Sequence, residues 1–152
     1  MVFSISIIGY LLFSISDTYT NYIEKPVSNL YGKVCSLMLP LIGYKAESKE
    51  LNLIGDGFEM SIATGCDAIM PLVFLSLIII LSPYGSLKYK LKGISLGFLF
   101  IVLSNIIRLC SLFILGHHSQ FWFDFFHVQF WQAYFILLTL MFFIFWLKNI
   151  KS

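Results

Sequence analysis

What most constrains this chain is a set of long runs with almost no charge. Ala68–Leu87 holds 20 residues and no charged side chain. Gly93–Gly116 holds 24 residues and one charge, Arg108. Val128–Leu147 is a further 20 residues with none. A hydrocarbon core about 30 Å thick takes about 20 helical residues to cross. Each run therefore predicts a transmembrane helix. Met1–Ser16 is uncharged but shorter. It lacks a basic start and a small-residue cleavage site, so it reads as a retained first span. Composition agrees. Hydrophobic residues make up 59% and charged residues 12% of the 152, against about 45–50% and about 25% in soluble domains. A unit this small cannot hide that much apolar surface from water. A net charge of +2 gives no reason to expect nucleic acid.

Residues 17–66 differ in character. Val27–Tyr44 mixes apolar side chains with Lys33, and Pro40 interrupts it. That pattern predicts a helix lying in the membrane interface. Leu51–Gly65 predicts a short β-hairpin turned by Gly55-Asp56-Gly57. Phe58, Met60 and Ile62 alternate there with Glu59, Ser61 and Ala63, the period of a strand. The expected fold is an all-α polytopic membrane protein. It has four transmembrane helices, or five if Val27–Tyr44 also crosses, with a short outer-face β-hairpin and an interfacial helix. The whole chain, 1–152, forms a single membrane-embedded domain: first span 1–16, outer-face segment 17–66, three-span core 68–147. Lys88, Lys90 and Lys92 lie in one connection, and Lys148 and Lys151 at the C-terminus. Short basic segments stay cytoplasmic. Segments 17–66 and 116–128 then face outward together.

Arg108 carries the strongest chemical signal. An arginine inside a span costs at least about 2.5–3.5 kcal/mol on insertion scales and is a functional candidate by default. Ser104, Asn105 and Ser111 stand four before, three before and three after it, so a helix gathers them on one side. A structural arginine paired with a carboxylate or carbonyl is the plainer reading. Cys66 ends the hairpin and opens the second span. A thiol there feels the positive end of the helix dipole, and a nearby guanidinium would stabilise its thiolate. A cysteine on its own is more often a small core residue. Cys110, two residues from Arg108, points away from the polar side. Cys110 and Cys35 are both assigned to packing. His127 heads the last span at the level of Cys66, and Asp124 three residues earlier could hold its ring. His117 and His118 lie in the preceding loop, and either could take that role. Cys66 with three histidines could suggest a metal, but no ligand spacing supports one. No metal and no cofactor are expected. Thiol, guanidinium and imidazole together suit acyl transfer.

These residues resemble the exosortase/archaeosortase family of membrane-embedded cysteine transpeptidases. The similarity rests on Cys66 just before a span in ATGCDAIMPLVF, on Asn105-Ile106-Ile107-Arg108 inside the next span, and on His127 at the head of the last, over about residues 51–147. It implies a catalytic set of Cys66, Arg108 and His127; Asn105, Ser104 and Asp124, brought near them by helical spacing, are the supporting candidates. The implied substrate is a secreted protein bearing a C-terminal motif, hydrophobic helix and basic tail. That protein is cleaved at the outer face of the inner membrane, held as a thioester and passed to a surface glycan or lipid. Cys66-Asp67-Ala68 departs from the small residue and glycine that often follow the family's cysteine. A carboxylate beside the nucleophile would oppose the thiolate unless Arg108 offsets it. The family also often has more spans before the cysteine. Two other functions fit the residues. One is a non-catalytic membrane assembly subunit of a secretion or polysaccharide system, with Arg108 pairing to a partner's acid. The other is a small carrier with Arg108 as an anion site.

Overall fold

The computed structural model describes residues 9–10, 13–14, 16–55, 57–62 and 66–150. The expected first span, 1–16, lies largely outside the described residues, as do Asp56 of the expected turn and Ala63. The chain is mostly helical, with one small sheet. The first element whose bounds are described is α1 (Asp17–Tyr19), capped by the Ser16 hydroxyl, which accepts from Tyr19 N–H. A wide π turn follows at Thr20–Glu24 and leads directly into α2 (Lys25–Met38). Pro26 offers no N–H to the helix. The turn before it widens, so that Lys25 N–H reaches back to Thr20. A 3₁₀ turn, Leu39–Ile42, ends the helix, and Gly43 supplies the left-handed φ of 92° that closes it.

The predicted hairpin is a three-stranded antiparallel sheet in the order β1 (Glu47–Lys49), β2 (Asn52–Gly55), β3 (Phe58–Ser61). Glu47 pairs with Ile54, and Gly55 with Phe58. The extra strand is three polar residues at an edge, too short and too polar to show a period. The alternation on β3 is as expected: Met60 and Ile62 are buried, Glu59 and Ser61 exposed. Val27–Tyr44 is helical over most of its length. Its buried side, Ser28, Tyr31, Gly32 and Cys35, faces protein.

The remaining chain is three helices. α3 (Ile69–Leu81) has 13 residues, about 20 Å at helical rise. The expected span ran to Leu87. It stops instead at Ser82-Pro83, because proline cannot continue the ladder and its predecessor is pushed to extended backbone. Ser82 indeed sits at ψ 135°. α4 (Leu87–His118) has 32 residues. The expected loop at 116–128 shrinks to one residue, Ser119, with extended backbone at φ −163°. The chain then re-enters helix as α5 (Gln120–Phe125), a π turn (Phe126–Phe130) and α6 (Trp131–Lys148). These three run on as one 29-residue stretch. That stretch and α4 are the two described helices long and apolar enough to cross a membrane. Their outer faces expose Phe98, Leu99 and Leu103 on one, and Leu137, Met141 and Phe145 on the other.

α4 and α6 form an antiparallel hairpin, with Tyr89 donating to the Trp146 carbonyl at one end and Ser104 and Tyr134 hydroxyls 3.3 Å apart nearer the other. Glycine permits this closeness. A Cβ on Gly93 would collide with the Trp146 indole of α6, and one on Gly97 with Leu75 of α3, so glycine also admits the third helix. Lys90 reaches across to the Ile80 and Ser82 carbonyls at 2.8 and 2.6 Å. The basic connection and the C-terminal end of α6 therefore share one end of the bundle, and Cys66 lies at the other end of α3. Gly97→Leu is expected to cost about 1–3 kcal/mol, the usual range for overpacking. It should appear as a lower unfolding midpoint in detergent, whereas Ile107→Leu, on the exposed side of α4, should leave the midpoint in place.

Candidate active site

Three separate elements meet at Cys66. The residue follows β3 and precedes α3, on backbone that must reverse into the helix. Ala68 makes the reversal with a left-handed φ of 57°. A non-glycine residue pays about 1–2 kcal/mol there, which explains why glycine would suit this neighbourhood. Asn105, fully buried on α4, donates its amide to the Cys66 carbonyl at 2.8 Å. One turn on, Arg108 donates from its guanidinium to Cys66 Sγ at 3.8 Å. The Asn-x-x-Arg spacing thus places an amide on the main chain and a cation on the sulfur of the same residue. His127 comes from the last helix. Its Nε2 lies 3.5 Å from Cys66 Sγ, and the two atoms can share one proton.

Each side chain is held. Arg108 is only 9% exposed, and its guanidinium carbon sits 5.8 Å from the Phe135 ring centre, over the ring face. Its Nε is buried with no hydrogen-bond partner among the described residues, so donor capacity remains beyond Cys66. The His127 ring stacks on Phe123, with centroids 5.5 Å apart and planes 15° from parallel. His127 lies within the π turn rather than at the first turn of a span. Such turns interrupt the regular ladder and recur at functional sites.

The supporting residues divide. Asn105 is at the site. Ser104 is turned to Tyr134 and joins α4 to α6 rather than to the guanidinium. Ser111 bonds back to the Arg108 carbonyl of its own helix. Asp124 does not orient His127 by a direct bond; it accepts from Gln120, one turn before it, because continuous helix from Gln120 makes that pair neighbours. His118 bonds the Tyr44 hydroxyl at 3.0 Å, and the His117 ring meets Tyr44 edge-on. The imidazole at the sulfur is that of His127. Cys35 and Cys110 are buried beside each other between α2 and α4.

Asp67 resolves the departure noted after the cysteine. Both oxygens of its carboxylate have hydrogen-bond partners. One oxygen accepts from Ile69 N–H at 3.1 Å, and the other from the Tyr19 hydroxyl at 3.0 Å. Sequence reasoning missed Tyr19, which stands 48 residues before its partner; no local signal marks it.

The model of the transmembrane exosortase family matches residues 1–146 of the chain. The chain belongs to this family. No curated protein and no solved structure matches it. Membership of the exosortases, together with the two long apolar helices, identifies a membrane protein, and it points to function of the transpeptidase type. The match extends beyond the motif-bearing half, since it takes in the segment that carries Tyr19.

Proposed function

We propose that this exosortase is a cysteine transpeptidase that cleaves C-terminal sorting signals of secreted proteins at the outer face of the inner membrane and transfers the product to a surface acceptor. One observation carries the reading. The Cys66 sulfur has an imidazole nitrogen at 3.5 Å and a guanidinium nitrogen at 3.8 Å. Both are closer than the limit of about 4–6 Å within which a charge alters proton affinity.

His127 takes the thiol proton, and the thiolate attacks the scissile carbonyl. The C=O π pair moves to oxygen, and Arg108 stabilises the oxyanion. The intermediate collapses with loss of the C–N bond, and His127 gives its proton to the departing amine. The secreted protein remains on Cys66 as a thioester. A hydroxyl or amine of the surface acceptor then loses a proton to His127 and attacks that thioester. The thiolate leaves and recovers the proton. Asn105 fixes the Cys66 main chain throughout. The basic end of the bundle suits the cytoplasmic side, which turns Cys66 outward. No metal or other cofactor enters these steps.

The test is chemical capture. Membranes bearing the protein and a tagged substrate ending in motif, hydrophobic helix and basic tail are treated with hydroxylamine. A thioester predicts a substrate hydroxamate ending at the cleavage site and discharge of substrate from Cys66. Cleavage without hydroxamate, or none in any substrate co-encoded with the protein, overturns the proposal.

A further inference from the structure

Cys66 is tethered from both sides. Asn105 holds its carbonyl, and Asp67 holds the backbone that follows. The second tether is itself anchored, because Asp67 accepts from Tyr19 on α1. Tyr19 and Asp67 are each 4% exposed. Tyr19 is in turn wedged by edge-on contacts to Phe13 and Tyr10, and the Tyr10 hydroxyl lies 3.4 Å from its own. Burial pushes the Tyr19 hydroxyl well above its ordinary range, which keeps it a proton donor toward Asp67.

We infer that Tyr19 and Asp67 act as a positioning pair that sets the aim of the Cys66 sulfur. The inference rests on the reading of Cys66 as the nucleophile. The reversal at Ala68 leaves the cysteine on short, conformationally strained backbone, so rotation about this point would swing the sulfur off the His127–Arg108 axis. Asp67 locks that backbone to the first turn of α3 through Ile69 N–H. Tyr19 fixes where the carboxylate can sit. It also draws electron density out of the carboxylate by donating to it, which reduces the opposition between two adjacent negative charges when the thiolate forms. The pair therefore has two jobs, orientation and charge relief. Both reside in one hydrogen bond between elements far apart in the sequence.

The experiment measures alkylation of Cys66 by N-ethylmaleimide in the full-length protein, with the modified peptide quantified by mass spectrometry across pH. Tyr19→Phe removes one oxygen and keeps the ring. Its alkylation rate is expected to fall by about 10-fold or more, as small misplacements of reacting groups do, and its pH profile to move upward. Asp67→Ala should also slow alkylation by loosening the backbone, but its pH profile should move downward, because the negative charge beside the thiolate is gone. Asp67→Asn, which can still accept from Ile69 N–H and meet the Tyr19 oxygen, should recover most of that loss. The Tyr19→Phe/Asp67→Ala double variant should be no slower than the slower single one. Rates and profiles within twofold of wild type in a well-expressed Tyr19→Phe protein overturn the inference. So does multiplication of the two single effects in the double variant. If Asp67→Ala does not accumulate, Tyr19→Phe against wild type decides alone. Alkylation needs no substrate. A failed hydroxylamine capture with slowed alkylation in Tyr19→Phe would remove the enzymatic reading and leave the positioning intact.

Discussion

Replacement of Cys66 by alanine is expected to abolish substrate processing, with the protein still present at its normal level. Where nucleophile and base act as one unit, loss of the nucleophile removes on the order of 10⁶ in rate. Residual processing should sit at background. Cys66→Ser is expected to be equally dead. A hydroxyl gives up its proton far less readily than a thiol, and a lone imidazole at this distance cannot make up the difference. The amount of protein should hold. The site loses one buried atom, and Asn105 still bonds the main-chain carbonyl at position 66, a contact that does not depend on the side chain. Processing is followed by the size of a tagged substrate on a gel, alongside immunoblots of the enzyme. Undiminished processing in Cys66→Ala would end the cysteine mechanism.

The second large effect is at Arg108. Arg108→Ala should lower the rate constant of processing by about 10²–10³, the usual loss for one oxyanion donor, with little change in the substrate concentration at half-saturation. Arg108→Lys should recover little. Lysine is a compact point charge without the planar face that lies over Phe135 or the fixed geometry that brings one guanidinium nitrogen to the sulfur. The same variants separate catalysis from assembly. An arginine that pairs with a partner subunit would, on removal, lower protein level or co-purification and leave Cys66 alkylation unchanged. An arginine serving the thiolate would slow alkylation at neutral pH and leave the level unchanged. The geometry favours the second outcome, since Arg108 is buried within its own chain and directed at Cys66.

Much of this arrangement is visible in the residues themselves, for identifiable reasons. Helical spacing alone puts Asn105 and Arg108 on one side of α4, and the uncharged run around them is long enough to commit that segment to helix. The alternation over Phe58–Ile62 commits it to strand. The parts that escape prediction depend on competition between neighbours. Pro83 marks a loosened end in its uncharged run, but composition does not say that the helix stops there altogether. Gly116-His117-His118-Ser119 looks like the start of a loop, yet the following aromatic residues continue as helix and leave Ser119 as the whole corner. Asp124 has two possible helical neighbours, Gln120 and His127, and the amide took it. β1 is legible only from its partner. Tyr19 meets Asp67 through tertiary packing, which no local window contains.

The corner at Ser119 has a mechanical consequence. Arg108 and His127 stand on the two arms of one stiff helical hairpin, joined by a single extended residue and clasped at Tyr89–Trp146 and Ser104–Tyr134. Cys66 arrives on a different limb, at the junction of the sheet and α3. In the proposed mechanism the hairpin therefore fixes the separation of base and cation, and the tethers at Asn105 and Asp67 set where the sulfur meets them.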